Sequence, residues 1–528
     1  ATENTMLTVG LKYGTNALFT ARLQNYNDTL SGSGYEFGYY DADRSFVPLA
    51  ATDEQRITVT VDSNAYVSGG VCYETRPTNY STILGAYHIE LLTAFGSYEE
   101  ALAVAQSYPK GFVAYIDGEY RVRVGNHASY DESARVLSET DVLAYGAQII
   151  TPSSTGVVVS VTDTDTVLFE FDCSGLRSLG VRPRSVSGEK TVTWFSGYRY
   201  YGGFEYQRTT GGYISVINVL DIEDYVKCVI AAEMSNDWPL EALKAQAVCA
   251  RTYAACQTKH RSQGFDICAT THSQVYQGTA ASSSYSDSAV DQTAGQCLYY
   301  NGQIVQEAVY YSSNGGASED SVNVWGNEVG YLKGKIDPYE GQIASRISKY
   351  NWSTTYTAAE LTNLLSSKGY GIGTVKNMYV SAYTDMGNVY SVTFVGTSGT
   401  KTITREACRS VLNLRSQRFT ITGGAGGSGY SVNESGESVD AGSMRVIDGS
   451  GSTASIAGSA YVITSSGTTA LGQGAAATGG AGSGSFTITG SGYGHNVGMS
   501  QWGAYAMANL GRTYREILQF YYTGVTII

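Results

Sequence analysis

The sequence predicts a multi-domain α+β protein, β-rich, with a central pair of helices and a small ferredoxin-like module ahead of it. Three observations carry that reading. Short alternating apolar and polar runs bounded by turn residues recur along most of the chain. Residues 224–255 repeat apolar positions at helical spacing instead. From Tyr87 to Leu137, strand-like and helix-like runs alternate in a β-α-β-β-α order.

A chain of 528 residues has room for several cores. Its formal net charge is −13, which argues against nucleic acid or an anionic membrane as the main partner. Tyrosine is over-represented, with 43 residues, and such a surface suits stacking on sugars or the packing of sheet faces. No apolar run approaches the roughly 20 residues of a membrane span. Opening at Ala1 without an initiator Met, the chain reads as a mature secreted form, its signal peptide already absent, placed at the extracellular face of the cell wall. The eight cysteines are scattered, show no disulfide framework, and read mostly as small buried hydrophobes.

In order, residues 1–82 form a β-rich N-terminal region, with Leu7–Leu11 and Ile57–Val61 alternating as strands. Residues 84–150 form the small module. His88–Leu91 reads as a strand and Ser97–Ala105 as a helix. A hairpin turning at Asp117-Gly118 comes next, then a second helix from Tyr130. His88 and His127 read as sheet and loop residues. Residues 155–528 make one further domain. Its early strands carry the aromatic run Tyr198–Tyr206, which suits either a sugar-stacking wall or a hairpin of cross-strand pairs. A Gly/Ser-rich insertion covers about 423–485. Gly511 stops one C-terminal helix, and the capping box Thr513–Glu516 opens the next.

The central helices carry the chemistry. Asn236 or Asp237 is placed to cap the second, with Pro239 in its first turn. Val226, Val229 and Ile230 form an apolar stripe on the first, and Glu233 continues it. A carboxylate there is partly desolvated, which favours the protonated form that a general acid needs. The same position also suits a carboxylate that caps a helix or pairs with Lys244 or Arg251 and only holds the helices together.

Glu233-Met234, Trp238-Pro239, Glu241–Ala247 and Ala250–Tyr253 together resemble the signature of the SpoIID/LytB family, the stage II sporulation protein D and amidase-enhancer proteins. Gly494–Ala504, reading GHNVGMSQWGA, is similar to the family's C-terminal block. The resemblance implies a peptidoglycan lytic transglycosylase that leaves 1,6-anhydro-N-acetylmuramic acid ends. Glu233 stands in the position of the catalytic glutamate. Lys244, Gln246, Arg251, Tyr311, His495, Ser500 and Gln501 are read as substrate-binding or supporting groups. The family's second name implies the alternative, a non-catalytic wall-binding protein that stimulates an amidase. Residues 84–150 resemble a SPOR domain, whose family binds glycan strands stripped of stem peptides. No cofactor is required by this chemistry. Cys268 and His272, four apart, can both ligate zinc, but no convincing third and fourth ligand stands out in the sequence.

Overall fold

The computed structural model describes residues 5–27, 30–184, 190–423 and 484–528, with strand backbone alone at six short runs between 429 and 471. Two compact units emerge: Ala1–Ala308 with Ile527–Ile528, and Val309–Thr526. That division falls inside the stretch read from sequence as a single domain from 155 onward.

The first unit is built on two sheets. Strands β1 (Met6–Lys12), β2 (Thr20–Gln24) and β3 (Arg56–Val61) come from the N-terminal region. The small module then supplies β4 (Tyr87–Leu91), α1 (Tyr98–Ala105), β5 (Gly111–Ile116), β6 (Glu119–His127), α2 (Tyr130–Glu139) and β7 (Ala147–Ile150). Both helices open on serines, Ser97 and Ser129, whose hydroxyls accept the N–H three residues on. The β5–β6 hairpin turns on Asp117 and Gly118, both at positive φ, the geometry that matches strand twist.

The module's strands lie antiparallel in the order β7-β4-β6-β5. That is fourth, first, third, second along the module, the order of a ferredoxin-like sheet. The sheet does not end there. Beyond β5 it continues through β9 (Val167–Asp172), β8 (Val157–Val161), β3, β2 and the hairpin Thr193–Phe195/Tyr198–Tyr200, making ten strands. The β5–β9 pairing is parallel. Only the start of the aromatic run, Tyr198–Tyr200, is in that hairpin, with Tyr200 buried against Phe195, Phe204 and Tyr276, while Phe204 and Tyr206 lie on a strand of the other sheet.

The second sheet has seven strands and pairs β1 with β10 (Ile214–Asp221), whose run ISVINVLD is buried along almost its whole length. From β10 the chain enters α3 (Ile222–Glu233), where the Asp221 side chain accepts from Glu223 N at 2.8 Å. Helix α4 (Leu240–Cys256) packs on α3, and both contact α5 (Ser284–Asp291). The expected Asn236 or Asp237 cap of α4 is not what forms. The N-cap position is Pro239, without a side-chain cap, while Asn236 donates to the Ala281 carbonyl. All eight cysteines stand outside disulfides, seven of them buried.

The second unit holds β11 (Tyr310–Tyr311), β12 (Asn351–Thr357), β13 (Phe419–Gly423), β14 (Ser485–Ser491) and β15 (Met499–Ser500). Helices α6 (Gln501–Asn509) and α7 (Tyr514–Tyr521) follow. Gly511 sits at φ +81 beyond α6, and Thr513 and Glu516 cap α7 reciprocally. β14 pairs with both β12 and β13, and Gly423 is the register partner of Phe486. Apart from those strand backbones, the expected insertion at about 423–485 lies outside the described residues. Among the described residues no helix is long and apolar enough to cross a membrane.

Candidate functional site

Glu233 is the last residue of α3, because Met234 turns extended at φ −126 and ψ 150. Its neighbours on the stripe, Val226, Val229 and Ile230, are fully buried, while Glu233 itself is partly buried. The Val275 N–H donates to its Oε1 at 3.3 Å. That amide belongs to a loop fixed on three sides. Tyr225 of α3 donates its hydroxyl to Gln274 Oε1 at 2.9 Å, and Gln274 Nε2 reaches the Ala250 carbonyl of α4 at 3.5 Å. The Tyr276 hydroxyl donates to Asn218 Oδ1 of β10 at 2.6 Å. The carboxylate therefore meets a donor whose position is set by α3, α4 and β10 together.

Arg251 lies elsewhere than the sequence suggested. Its guanidinium is fully buried and grips Glu223, Nε to Oε1 at 2.8 Å and Nη2 to Oε2 at 2.7 Å. A further donation from Nη1 goes to the Gln296 carbonyl at 3.1 Å. The expectation that Arg251 steadies Glu233 is corrected: its charge is spent at the opposite end of α3. Sequence reading missed Glu223 because the pairing runs between two packed helices, with no spacing rule to reveal it. Lys244 donates to Glu241 at 2.7 Å, an i,i+3 contact on α4. Gln246 is wholly buried on the same helix.

Cys268 and His272 do come together, with Sγ and Nδ1 at 3.8 Å. Burial works against a thiolate at Cys268. Hydrogen bonds from Ser273, Thr270 and His272 outweigh it and bring the thiol down to about 6. A third donor, unseen in the sequence reading, is His260. Its Nδ1 contacts Gln263 Oε1 at 2.6 Å, so the ring N–H is used there and Nε2, buried and without a hydrogen-bond partner among the described residues, keeps its lone pair. The three donor atoms of His260, Cys268 and His272 lie within 4.8 Å of one another. One thiolate and two imidazoles are a zinc-type donor set. A histidine eight residues ahead of Cys268 was the available signal.

Tyr311, His495, Ser500 and Gln501 belong to the second unit. Ser500 caps α6, accepting from Gly503 N at 2.9 Å, and donates to Glu340 Oε2 at 2.6 Å. Gln501 is buried in the first turn of that helix. The His495 ring donates from Nε2 to the Tyr310 carbonyl at 3.0 Å, while Nδ1 accepts from Val497 N at 3.2 Å. Burial holds its pKa down at about 4, so the ring is neutral with both nitrogens taken by backbone. What it offers is ring surface, against Tyr311 at 5.4 Å and Trp325 at 5.1 Å. Glu340 is the organising group that sequence reading passed over. Its buried carboxylate accepts from Ser313 Oγ, Asn314 N, Gly315 N and Ser500 Oγ, tying the Ser-Ser-Asn-Gly-Gly turn to the start of α6.

Residues 210–300, which include α3, α4 and the Cys268–Tyr276 loop, match the SpoIID family of stage II sporulation proteins. An uncharacterized protein of Brachyspira hyodysenteriae is 31% identical over 383 residues, 70% of this chain and 84% of that protein. The chain carries a SpoIID-family domain at residues 210–300. Stage II sporulation protein D of Bacillus subtilis is 27% identical to this chain, covering 59% of it and 76% of the relative. The amidase enhancer of Bacillus subtilis is 34% identical over 57% of this chain, which spans only 40% of that longer protein.

Proposed function

We propose that the chain acts outside the cell on the bacterial wall as a peptidoglycan lytic transglycosylase, with Glu233 as its acid and base. The observation that carries this reading is the Glu233 carboxylate itself, partly buried at the end of an apolar helix stripe and met by the Val275 amide. In its protonated form Glu233 donates to the glycosidic oxygen between N-acetylmuramic acid and N-acetylglucosamine, and the C1–O bond breaks. As carboxylate it then takes the proton of the muramic 6-hydroxyl, whose oxygen closes on C1 as a 1,6-anhydro ring. Hydrolytic glycosidases place two carboxylates about the bond, whereas here the substrate's own hydroxyl replaces water and one carboxylate serves both halves.

His260, Cys268 and His272 suit a zinc ion, which would brace the loop that carries Val275. The β7-β4-β6-β5 sheet supports reading residues 84–150 as a SPOR-like module that holds glycan strands. Because that sheet is continuous with β9, its binding is tested in the full chain, comparing peptide-stripped glycan with intact wall.

A second reading is favoured by the relative named amidase enhancer. On it, the chain binds wall and stimulates an amidase without cutting glycan. Mass analysis of products from purified glycan strands separates the two. Anhydro ends support the transglycosylase, whereas tight binding without them supports the enhancer.

A further inference from the structure

Outside the family match, the ten-stranded sheet buries a polar cluster that the proposed reaction does not use. Asp62 follows β3, His88 sits on β4 and Glu170 on β9, and all three side chains are buried. Strands β4 and β9 are three places apart in the sheet, about 14 Å if it were flat. The curl of the sheet nevertheless brings His88 Nε2 to 3.5 Å from Glu170 Oε2. One ligand atom from each of the three residues lies within 4.8 Å of the others.

Each donor is held from behind and presents a free atom inward. His88 Nδ1 is 2.6 Å from the Gly125 carbonyl, at a bulge in the β4–β6 pairing, so the ring N–H points there. That leaves Nε2 with a lone pair, aimed at a carboxylate oxygen and with no hydrogen-bond partner among the described residues. Asp62 Oδ2 accepts from Ser153 N at 2.7 Å, while Oδ1 is buried and has no hydrogen-bond partner among the described residues. Glu170 Oε1 lies against Arg123 Nη1 at 2.9 Å, and Arg123 Nε donates to Glu90 at 2.8 Å. A lone pair facing a carboxylate is repulsive unless something positive stands between them.

The surrounding charge agrees. Among the described residues, four carboxylates (Asp62, Glu90, Glu170, Asp172) face two guanidiniums (Arg123, Arg208), so four negative charges less two positive leave a deficit of two. One divalent cation closes it. A zinc-type ion bonding at 2.0–2.2 Å separates tetrahedral ligands by about 3.3 Å, close to the His88–Glu170 spacing. One imidazole and two carboxylates suit zinc or manganese, whereas calcium asks for six or more oxygens.

We propose that Asp62, His88 and Glu170 form a buried structural site for one divalent transition cation, pinning β3, β4 and β9 where the small module joins the rest of the sheet. The rival occupant is protons. Burial and the Glu170 charge push the Asp62 carboxyl well above the usual range, so protonated carboxyls would also lessen the deficit.

The test uses the full chain carrying Cys268→Ser and His272→Ala, which removes the thiolate donor set. The protein is unfolded in chelator, refolded with Zn2+ or Mn2+, and dialysed. Elemental analysis should find about one metal per chain, and Tm should rise by at least about 3 °C over the metal-free refolded protein. X-ray absorption of the zinc form should show nitrogen and oxygen ligands and no sulfur. Adding His88→Ala should abolish uptake. If that variant fails to fold, the absorption spectrum of the parent decides. A cooperatively folded parent that takes up neither metal, with Tm unchanged, overturns the site and leaves the cluster to protons. Zinc bound through sulfur overturns it as well.

Discussion

Arg251 and Glu223 form a bidentate ion pair, at 2.8 and 2.7 Å, that clamps the first turn of α3 to the middle of α4. Glu233 lies at the other end of α3, roughly 15 Å along the axis. Arg251→Ala therefore removes a brace, not a catalytic neighbour. Breaking one partner of a buried pair costs about 3–5 kcal/mol, and the partial exposure of Glu223 places the expectation at the lower end. Urea unfolding should show that loss, and Arg251→Lys should recover only part of it, since an ammonium cannot make the paired contact. An unchanged urea midpoint in Arg251→Ala would contradict the assignment.

Glu233→Gln keeps the volume and can still accept from Val275, but it cannot cycle a proton. A general acid–base group contributes about 10²–10⁴-fold in rate. Release of anhydromuramyl products should fall by the upper part of that range, with unfolding midpoint and glycan binding unchanged. Near-parental release by this variant would remove Glu233 from the mechanism.

Gly503 sits where only hydrogen fits. A Cβ there would stand 1.7 Å from the Tyr521 hydroxyl, which itself donates to Asp337 at 2.6 Å. Gly503→Ala should cost about 1–3 kcal/mol by overpacking. In a Tyr521→Phe background the same change should cost less, because the clashing oxygen is gone. Equal costs in a double-mutant cycle would show that the contact is not what constrains Gly503.

His495 makes stability depend on acid. Its folded pKa is lowered from 6.5 to about 4 by burial, with the Arg409 charge adding to the effect. Above pH 6.5 the ring is neutral folded or unfolded, and there is no penalty. As pH falls from about 6.5 to about 4 the unfolded chain takes a proton that the folded chain refuses, so stability drops. A gap of about 2.5 pH units, at 1.36 kcal/mol each, sets an upper bound of about 3 kcal/mol, reduced by the ring's partial exposure. The pH profile of Tm should flatten over that window in His495→Gln. An NMR titration of the ring with a midpoint near 6.5 would refute the burial argument.

What the sequence made legible was local. The stripe Val226, Val229, Ile230 ends on Glu233 as the periodicity says, and the Thr513–Glu516 box caps its helix, because both depend on residues within one or two turns. The β-α-β-β-α order could be read, but not that β5 continues into β9, since pairing between distant strands leaves no mark on spacing. Asn236 looked like a cap, but its side chain found the Ala281 carbonyl instead. His88 read as an ordinary sheet residue because Asp62 and Glu170 arrive from other strands, far away in sequence. Arg251 was assigned to the wrong glutamate for the same reason: two candidate partners sat at opposite ends of one helix, and only packing chose between them.

The register of β13 and β14 has one more consequence. With Gly423 opposite Phe486, the chain leaves and re-enters the sheet one strand spacing apart, about 5 Å. Closure is thus set by the two strands, whatever length is threaded between them. By general loop-closure arithmetic, joining ends held at a fixed distance costs only about 0.6 kcal/mol more for each doubling of the chain between them. That leaves liberty to lengthen, trim or exchange the segment joined at this gateway while the strand register beneath it holds. An engineer gains the same liberty, with a port where an epitope or fluorescent reporter can be spliced in at small thermodynamic cost.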